Sequence, residues 1–149
     1  MRDLANSISM VQSLAPAVRT ADANGTGVDL QGFESGTIVV DTGIEGDTLS
    51  STVKIDFKLE DSSDNSTFAA VTSATSVTDG TVDSNGIFLT LDANAETPQI
   101  TTIGYIGGNQ YVRVVADFTG THSNGTPVAA SVIKGHPRHS TDADTLSTA

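Results

Sequence analysis

Residues 53–60, VKIDFKLE, carry the clearest structural signal in the chain, because apolar and charged residues alternate there without a break. Successive side chains of a β-strand point to opposite sides of its sheet. The alternation therefore predicts a strand with one buried and one solvated face, as in an antiparallel sheet. We expect the buried side to hold Val53, Ile55, Phe57 and Leu59, and the solvated side to hold Lys54, Asp56, Lys58 and Glu60.

Turn signals on both sides of this strand divide the rest of the chain into further short strands. DSSDNST, residues 61–67, is rich in turn-forming residues and predicts a hairpin to the next apolar run. No segment beyond residue 20 has a convincing helical period, and we expect residues 72–84 to form an exposed loop. The prediction is an all-β fold, an antiparallel β-sandwich of about eight short strands. These strands are residues 28–33, 36–42, 53–60, 68–71, 87–91, 100–105, 111–118 and 128–133.

The length of 149 residues favours a single domain, with ends that differ from its middle. We expect an N-terminal arm over residues 1–14, the β-sandwich over residues 15–135 and a C-terminal tail over residues 136–149. Leu4, Ile8 and Val11 have a helix-like spacing, but the window is short, and an extended arm fits it equally well. The tail HPRHSTDADTLSTA is polar, so we expect both ends to become ordered against other chains.

The charge balance excludes several classes of partner. The chain has 18 acidic and 7 basic residues, a formal net charge of -11. Nucleic acids and anionic membranes are bound through clustered Lys and Arg, so we expect neither as a partner.

The chain has no cysteine, which excludes disulfides and thiolate chemistry. Its first residues lack a continuous apolar run, so we expect no signal peptide and no membrane span.

The glycine-rich sequence GYIGGNQ, residues 104–110, raises the question of a phosphate-binding loop. Such a loop leads from a strand into a helix, whose N-terminus faces the phosphate. A strand follows here instead, so we expect a simple turn between two strands. The sequence also lacks the Gly-Lys-Ser/Thr ending of a Walker loop.

Other patterns predict no catalytic residues, no cofactor and no metal ion. DSSDNST lacks the glycine and the distant glutamate of an EF-hand loop, so we interpret Asp61 and Asp64 as turn residues. No serine lies in a nucleophile-elbow motif, and HPRH supplies too few ligands for a tight metal site. We interpret all three histidines, His122, His136 and His139, as solvated or interface side chains.

Four stretches carry a family resemblance: GVDLQGF (27–33), EDSSDNSTF (60–68), YIGGNQYVRV (105–114) and GHP (135–137). Together they resemble the capsid decoration, or cement, proteins of tailed phages, small virion proteins encoded next to the major capsid protein. The resemblance spans most of residues 8–138 and consists of residues that shape the fold. The chain departs from the family at Gln110, where relatives often have a basic residue, in a polar insertion near residues 73–84 and in the tail after Arg138.

The resemblance implies a non-enzymatic virion protein, made in the host cytoplasm and bound to the outer surface of an icosahedral capsid. It implies two partners, the major capsid protein and further copies of this chain as a homotrimer at local three-fold positions. An acidic chain also fits a position outside a head packed with DNA. We expect contacts with the shell or with neighbouring copies from Arg2, Leu4, Ile8, Met10, Val11, His136, Pro137, Arg138 and His139.

Two other functions remain open at the level of sequence. The same sandwich suits a tail or head–tail connector protein. It also suits a carbohydrate-binding or adhesive module with weak glycan binding. The chain has no tryptophan, so stacking platforms for a sugar would have to come from Phe88, Tyr105 and Tyr111.

Overall fold

A computed structural model describes residues 4–139, and this part of the chain forms eleven strands and three short 3-10 helices. The helices are Ala5–Ser7, Ala74–Ser76 and Asn94–Glu96. None of them is long and apolar enough to cross a membrane. The strands are β1 (Ile8–Arg19), β2 (Ala23–Asn24), β3 (Val28–Asp29), β4 (Phe33–Thr42), β5 (Lys54–Ser62), β6 (Ala69–Ala70), β7 (Val77–Thr78), β8 (Ile87–Leu91), β9 (Gln99–Tyr105), β10 (Tyr111–Thr119) and β11 (Thr126–Pro137).

The strands form two antiparallel sheets that pack face to face. Sheet A has the order β1-β11-β4-β9-β7. Sheet B has the order β2-β10-β5-β6, with β3 alongside β10 and β8 alongside β5. The predicted all-β antiparallel sandwich is therefore confirmed, and the predicted strands correspond to β3–β6 and β8–β11.

The core lies between the sheets and is built by the inward residues of β4, β5, β10 and β11. Phe57, predicted to be buried, has no exposed surface, and Ile55 and Leu59 beside it are equally enclosed. From sheet A, Ile38 and Val132 close the same core. Burying one such side chain contributes roughly 1.5–3 kcal/mol to the free energy of folding, so the alternation in β5 fixes its register.

The charged face of β5 is less solvated than its sequence predicts. Asp56 is only 5% exposed, so the prediction that it lies in solvent is wrong. The reason is that β10 and β8 flank β5 on its two sides, and their side chains cover it. The amino group of Lys54 lies 2.7 Å from the Asp56 carboxylate, and the Arg113 guanidinium lies 2.6 Å from that of Glu60.

The boundary of the predicted N-terminal arm is wrong for residues 8–14, which form the first half of β1 and pair with β11. The 3-10 helix Ala5–Ser7 precedes them, so no α-helix forms there. The strand is hard to predict because two of its inward positions hold small hydroxyl residues, Ser9 and Ser13, in place of apolar ones. Register shifts between Gln12 and Leu14, and between Leu14 and Ala17, also break the period of two.

Two further boundaries differ from the prediction. Strand β11 continues through His136 and ends at Pro137, so the first residues of the predicted tail belong to sheet A. The predicted loop over residues 72–84 contains β7, where buried Val77 pairs with Tyr105. A two-residue strand is too short to produce a sequence period. The rest of the predicted tail, residues 140–149, lies outside the described residues.

The glycine loop forms the turn that its sequence predicts. Strand β9 ends at Tyr105 in sheet A and β10 begins at Tyr111 in sheet B, so residues 106–110 connect the two sheets. Gly107 lies against the Tyr105 ring, where an added Cβ would be 2.4–2.6 Å from ring atoms and the hydroxyl. Close packing of the backbone on this ring therefore explains the glycine.

Candidate functional site

The outer faces of the two sheets differ in chemistry. On sheet B, Lys58 pairs with Asp117, next to the Lys54–Asp56 and Arg113–Glu60 pairs. The guanidinium of Arg113 also lies 4.1 Å from the centre of the Phe68 ring. Ion pairs of this kind satisfy one another on the surface of a single chain. The charged groups on the outer face of sheet B are therefore already paired within the chain.

The outer face of sheet A is almost without charge. In its register Met10 lies opposite Ile133, Ile133 lies opposite Thr37 on its other side, and Ile100 lies opposite Asp41. Residues directly opposite in an antiparallel pair share one face of the sheet. We call this surface the sheet A face, and its residues are Met10, Gln12, Thr37, Val39, Asp41, Ile100, Thr102, Ala129, Ser131 and Ile133.

Several of these apolar side chains are open to solvent. Met10 is 57% exposed and Ile100 is 68% exposed. Asp41 is the single ionisable residue of the face. In a chain with a net charge of -11, a nearly uncharged and partly apolar face is a surface suited to contact with another protein.

The two ends of the described chain meet at one corner of sheet A, which we call the terminal corner. Ile8 at the start of β1 pairs with Gly135 near the end of β11, and exposed Leu4 precedes it. Pro137 lies opposite Phe33, and the Arg138 amide donates to the Gly32 carbonyl at 2.9 Å. Of the predicted contact residues that the structure describes, all except Val11 lie at this corner. They are Leu4, Ile8, Met10, His136, Pro137, Arg138 and His139.

Two predicted contact residues stand apart from the corner. Arg2 lies outside the described residues. Val11 faces inward, opposite Val132, and packs against the core. The terminal corner therefore presents Ile8 and Met10 from β1, and Val11 contributes to the interior instead.

A cleft of about 500 Å³ opens at the same end of the sandwich. Its walls are residues 30–36, residues 105–110 and Arg138, so two of the stretches behind the family resemblance face each other across it. Ile106 is exposed beside it, and Glu34 and Arg138 form a loose pair at 3.9 Å. The cleft is therefore a shallow surface feature continuous with the terminal corner.

The sequence interpretation missed one close pair in this cleft. The Ser35 hydroxyl and the His136 Nδ1 are 2.7 Å apart, although 101 residues separate them in the chain. The pair is exposed, and within residues 4–139 no carboxylate hydrogen-bonds to the other ring nitrogen. A nucleophilic serine needs a histidine that is held by such an acid, so the geometry fits a structural contact between β4 and β11 better than a triad.

The acidic residues of the hairpin after β5 are occupied by structural contacts. Asp64 accepts backbone N–H groups of Thr67 and Ser66 at 2.8 and 2.9 Å, and these bonds hold the pKa of Asp64 below its usual value. Asp61 accepts a 2.7 Å hydrogen bond from the Tyr105 hydroxyl. Across residues 4–139, no group of three or more His, Asp or Glu side chains is arranged to hold a metal ion.

Tyr105 and His122 are buried and serve the interior. Burial, and then the hydrogen bond to Asp61, raise the pKa of Tyr105 far above its ordinary value, so the phenol stays neutral. With 2% of its surface exposed, Tyr105 cannot stack on a sugar, which removes one of the predicted glycan platforms. The His122 ring packs edge-on against Phe118 at 4.9 Å and lies 3.0 Å from the Thr119 carbonyl.

The sequence matches no model of a known protein family. No curated protein matches it significantly. Evidence on function therefore comes from the surfaces of the molecule itself, above all the sheet A face and the terminal corner.

The sheet A face leaves one readable trace in the sequence. A strand with a solvated outer face alternates, as β5 does, but IVV at residues 38–40 and VI at residues 132–133 are apolar at successive positions. Successive apolar residues indicate a strand that is covered on both sides. No other element within residues 4–139 packs on the outer side, where Val39 and Ile133 are only partly buried.

Proposed function

We propose that this chain is a capsid decoration protein of a tailed phage, bound outside an icosahedral shell and tying neighbouring major capsid subunits together. The homotrimer at a local three-fold position and the place on the virion surface are parts of this proposal. The observation that carries it is the continuity of the nearly uncharged sheet A face with the terminal corner. The family resemblance of residues 27–33, 60–68, 105–114 and 135–137 supports it independently.

Electrostatics favour the outer surface of a head. DNA inside a filled shell repels a chain with a net charge of -11, whereas the outside imposes no such penalty. The uncharged face lets the acidic chain approach a protein surface with little desolvation of charge. The charged face of sheet B then remains in solvent with its ion pairs intact.

The size of the available surface is adequate for stable attachment. A standard interface removes about 800 Å² from each partner, roughly a tenth of the 7719 Å² that this chain exposes. A five-stranded sheet face and its corner can supply that area. Modest single contacts suffice, since a trimer engages several shell subunits at once.

Co-sedimentation with empty shells of the cognate phage tests the proposal. We expect saturable binding, near one copy per capsid subunit, to expanded shells. The Met10→Asp/Ile100→Asp variant should bind at least tenfold more weakly, because it puts charge into the sheet A face. Ile44→Asp is the matched control: Ile44 is 70% exposed but lies outside that face, so binding should be unchanged.

Three outcomes contradict the proposal. Absence of binding to both expanded and unexpanded shells argues against decoration of the capsid. Equal weakening by the control variant argues against the sheet A face. Closed rings of the free protein in negative-stain images favour a connector protein, which would use the same face between copies.

A further inference from the structure

Lys134 differs from the other described lysines in having no anionic partner. It lies on β11, faces inward and is only 3% exposed. Its ammonium is 4.9 Å from the centre of the Phe33 ring, and within residues 4–139 it forms no ion pair. Lys54 and Lys58, by contrast, form ion pairs with the carboxylates of Asp56 and Asp117. An enclosed cation without an anion is unfavourable, so the position calls for an explanation.

Lys134 lines a cavity of about 380 Å³ between the edges of the two sheets. Val11 of sheet A and Val28 of sheet B supply apolar walls. Asn65 and Tyr111 supply polar groups at its margin. The cavity therefore has a lysine ammonium beside apolar walls, and it has room for a side chain.

A second buried polar group lies next to Lys134. Ser9 is its register partner on β1, and the Ser9 hydroxyl is buried with no hydrogen-bond partner among the described residues. Buried hydroxyl groups in native proteins are almost always hydrogen-bonded. A buried hydroxyl without a hydrogen bond thus lies beside a largely buried lysine without an anionic partner.

The carboxylate nearest in the cavity wall is engaged elsewhere. One oxygen of Asp29 accepts the Gln31 amide at 2.8 Å and the Gln110 side chain at 2.9 Å. Burial lowers the pKa of Lys134, and the charge of Asp29 opposes this shift. Within residues 4–139, however, Asp29 forms no ion pair with the ammonium.

We propose that this cavity binds the side-chain carboxylate of an aspartate or glutamate from a partner protein. The carboxylate pairs with the Lys134 ammonium, and its methylene stem lies between Val11 and Val28. A volume near 380 Å³ leaves room for one inserted side chain. That the partner is a shell subunit rests on the proposed function.

The first test needs no shells. The full chain is titrated with N-acetyl-glutamate amide, and with N-acetyl-glutamine amide as control, while the NMR signals of the Lys134 side chain are followed. We expect saturable shifts at millimolar glutamate derivative and none with the glutamine derivative. Lys134→Met should abolish the response, and Lys58→Met should leave it intact. No shift, or equal shifts with both compounds, overturns the proposal.

A second measurement separates binding from folding. We expect Lys134→Met to melt no lower than the parent chain, because it replaces a buried unpaired charge by an apolar side chain of similar length. A fall of several degrees would show that Lys134 stabilises the isolated fold, and would overturn its assignment to a partner. If the variant fails to fold, the titration of the parent chain still decides.

Binding to shells then identifies the source of the carboxylate. Loss of shell binding in Lys134→Met, with Lys58→Met unaffected, supports a shell subunit as the partner. Equal binding by both variants overturns this inference while the decoration function stands. If Asp142→Asn/Asp144→Asn shifts the Lys134 signals in the free protein, the chain's own tail is the occupant and a partner-supplied carboxylate is excluded.

Discussion

Replacement of Ser13 by alanine tests whether β1 belongs to the sandwich or forms a detachable arm. Ser13 lies on β1 in sheet A and is buried. Its hydroxyl donates to the Thr26 carbonyl at 3.1 Å and accepts the Val114 amide of sheet B at 2.9 Å. That amide falls between the stretches of β10 that pair with β2 and with β3, so the serine hydroxyl substitutes for a missing strand partner.

The expected loss follows from these two contacts. The Val114 amide is fully enclosed, and an unsatisfied buried donor costs about 1–3 kcal/mol. The Thr26 carbonyl is nearer to solvent and loses an ordinary hydrogen bond, about 0.5–1.5 kcal/mol. Ser13→Ala should therefore reduce the free energy of unfolding by about 2–4 kcal/mol, which lowers Tm by roughly 5–15 °C in a chain of this size.

Urea denaturation and calorimetry measure this loss, with Ser63→Ala as the control. Ser63 is exposed in the hairpin turn, so its replacement should change the free energy of unfolding by less than about 0.5 kcal/mol. Hydrogen exchange of the Val114 amide should accelerate in Ser13→Ala alone. Equal stability of the two variants, with unchanged exchange, would mean that residues 8–14 are an arm after all.

Two further predictions concern the core and the acidic turns. Phe57→Ala should lower the free energy of unfolding by about 3–5 kcal/mol, because it empties a fully buried site. Lys58→Ala loses only its pair with Asp117 and should lower it by about 1 kcal/mol or less. Equal thermal shifts for the two variants would contradict the assignment of inward and outward residues in β5. Backbone hydrogen bonds lower the pKa of Asp64 and Asp83 in the folded chain. The two carboxylates therefore stabilise the folded chain fully above their unfolded pKa of about 3.9, and this stabilisation is lost as pH falls through their folded pKa values. Stability measured by urea denaturation should therefore decline below about pH 4, and Asp64→Asn should make the decline shallower; an unchanged slope would contradict the assignment.

The sequence predicted the sandwich because its central strand has one apolar and one charged side. Strand β5 shows this alternation plainly, and the turn residues after it set the hairpin with β6. Strand β1 escaped prediction because serine occupies two of its inward positions and bulges interrupt its period. Strands β2 and β7 contain two residues each, as do β3 and β6, but they lie outside the apolar runs between turn signals from which β3 and β6 were predicted.

The candidate site was less predictable because it depends on pairing between distant residues. The sheet A face joins positions as far apart as Met10 and Ile133, and only the register of β1 with β11 brings them together. The contact of Ser35 with His136 depends on the pairing of β4 with β11 in the same way. The chain ends expected to contact a partner lie together at the terminal corner, but no local pattern in the sequence shows the face beside them.

The edges of the sheets bear on how a partner would attach. A long unpaired edge strand invites another strand to add to the sheet, and proteins block this with bulges and proline. Strand β1 is the long edge of sheet A, and it carries two register shifts and Pro16 within the second of them. The opposite edge, β7, has only two residues. Addition of a strand is thus disfavoured at both edges of sheet A. A partner would then contact the sheet A face and the Lys134 cavity through side chains, and substitutions there should weaken binding while the backbone pairing of the sandwich stays intact.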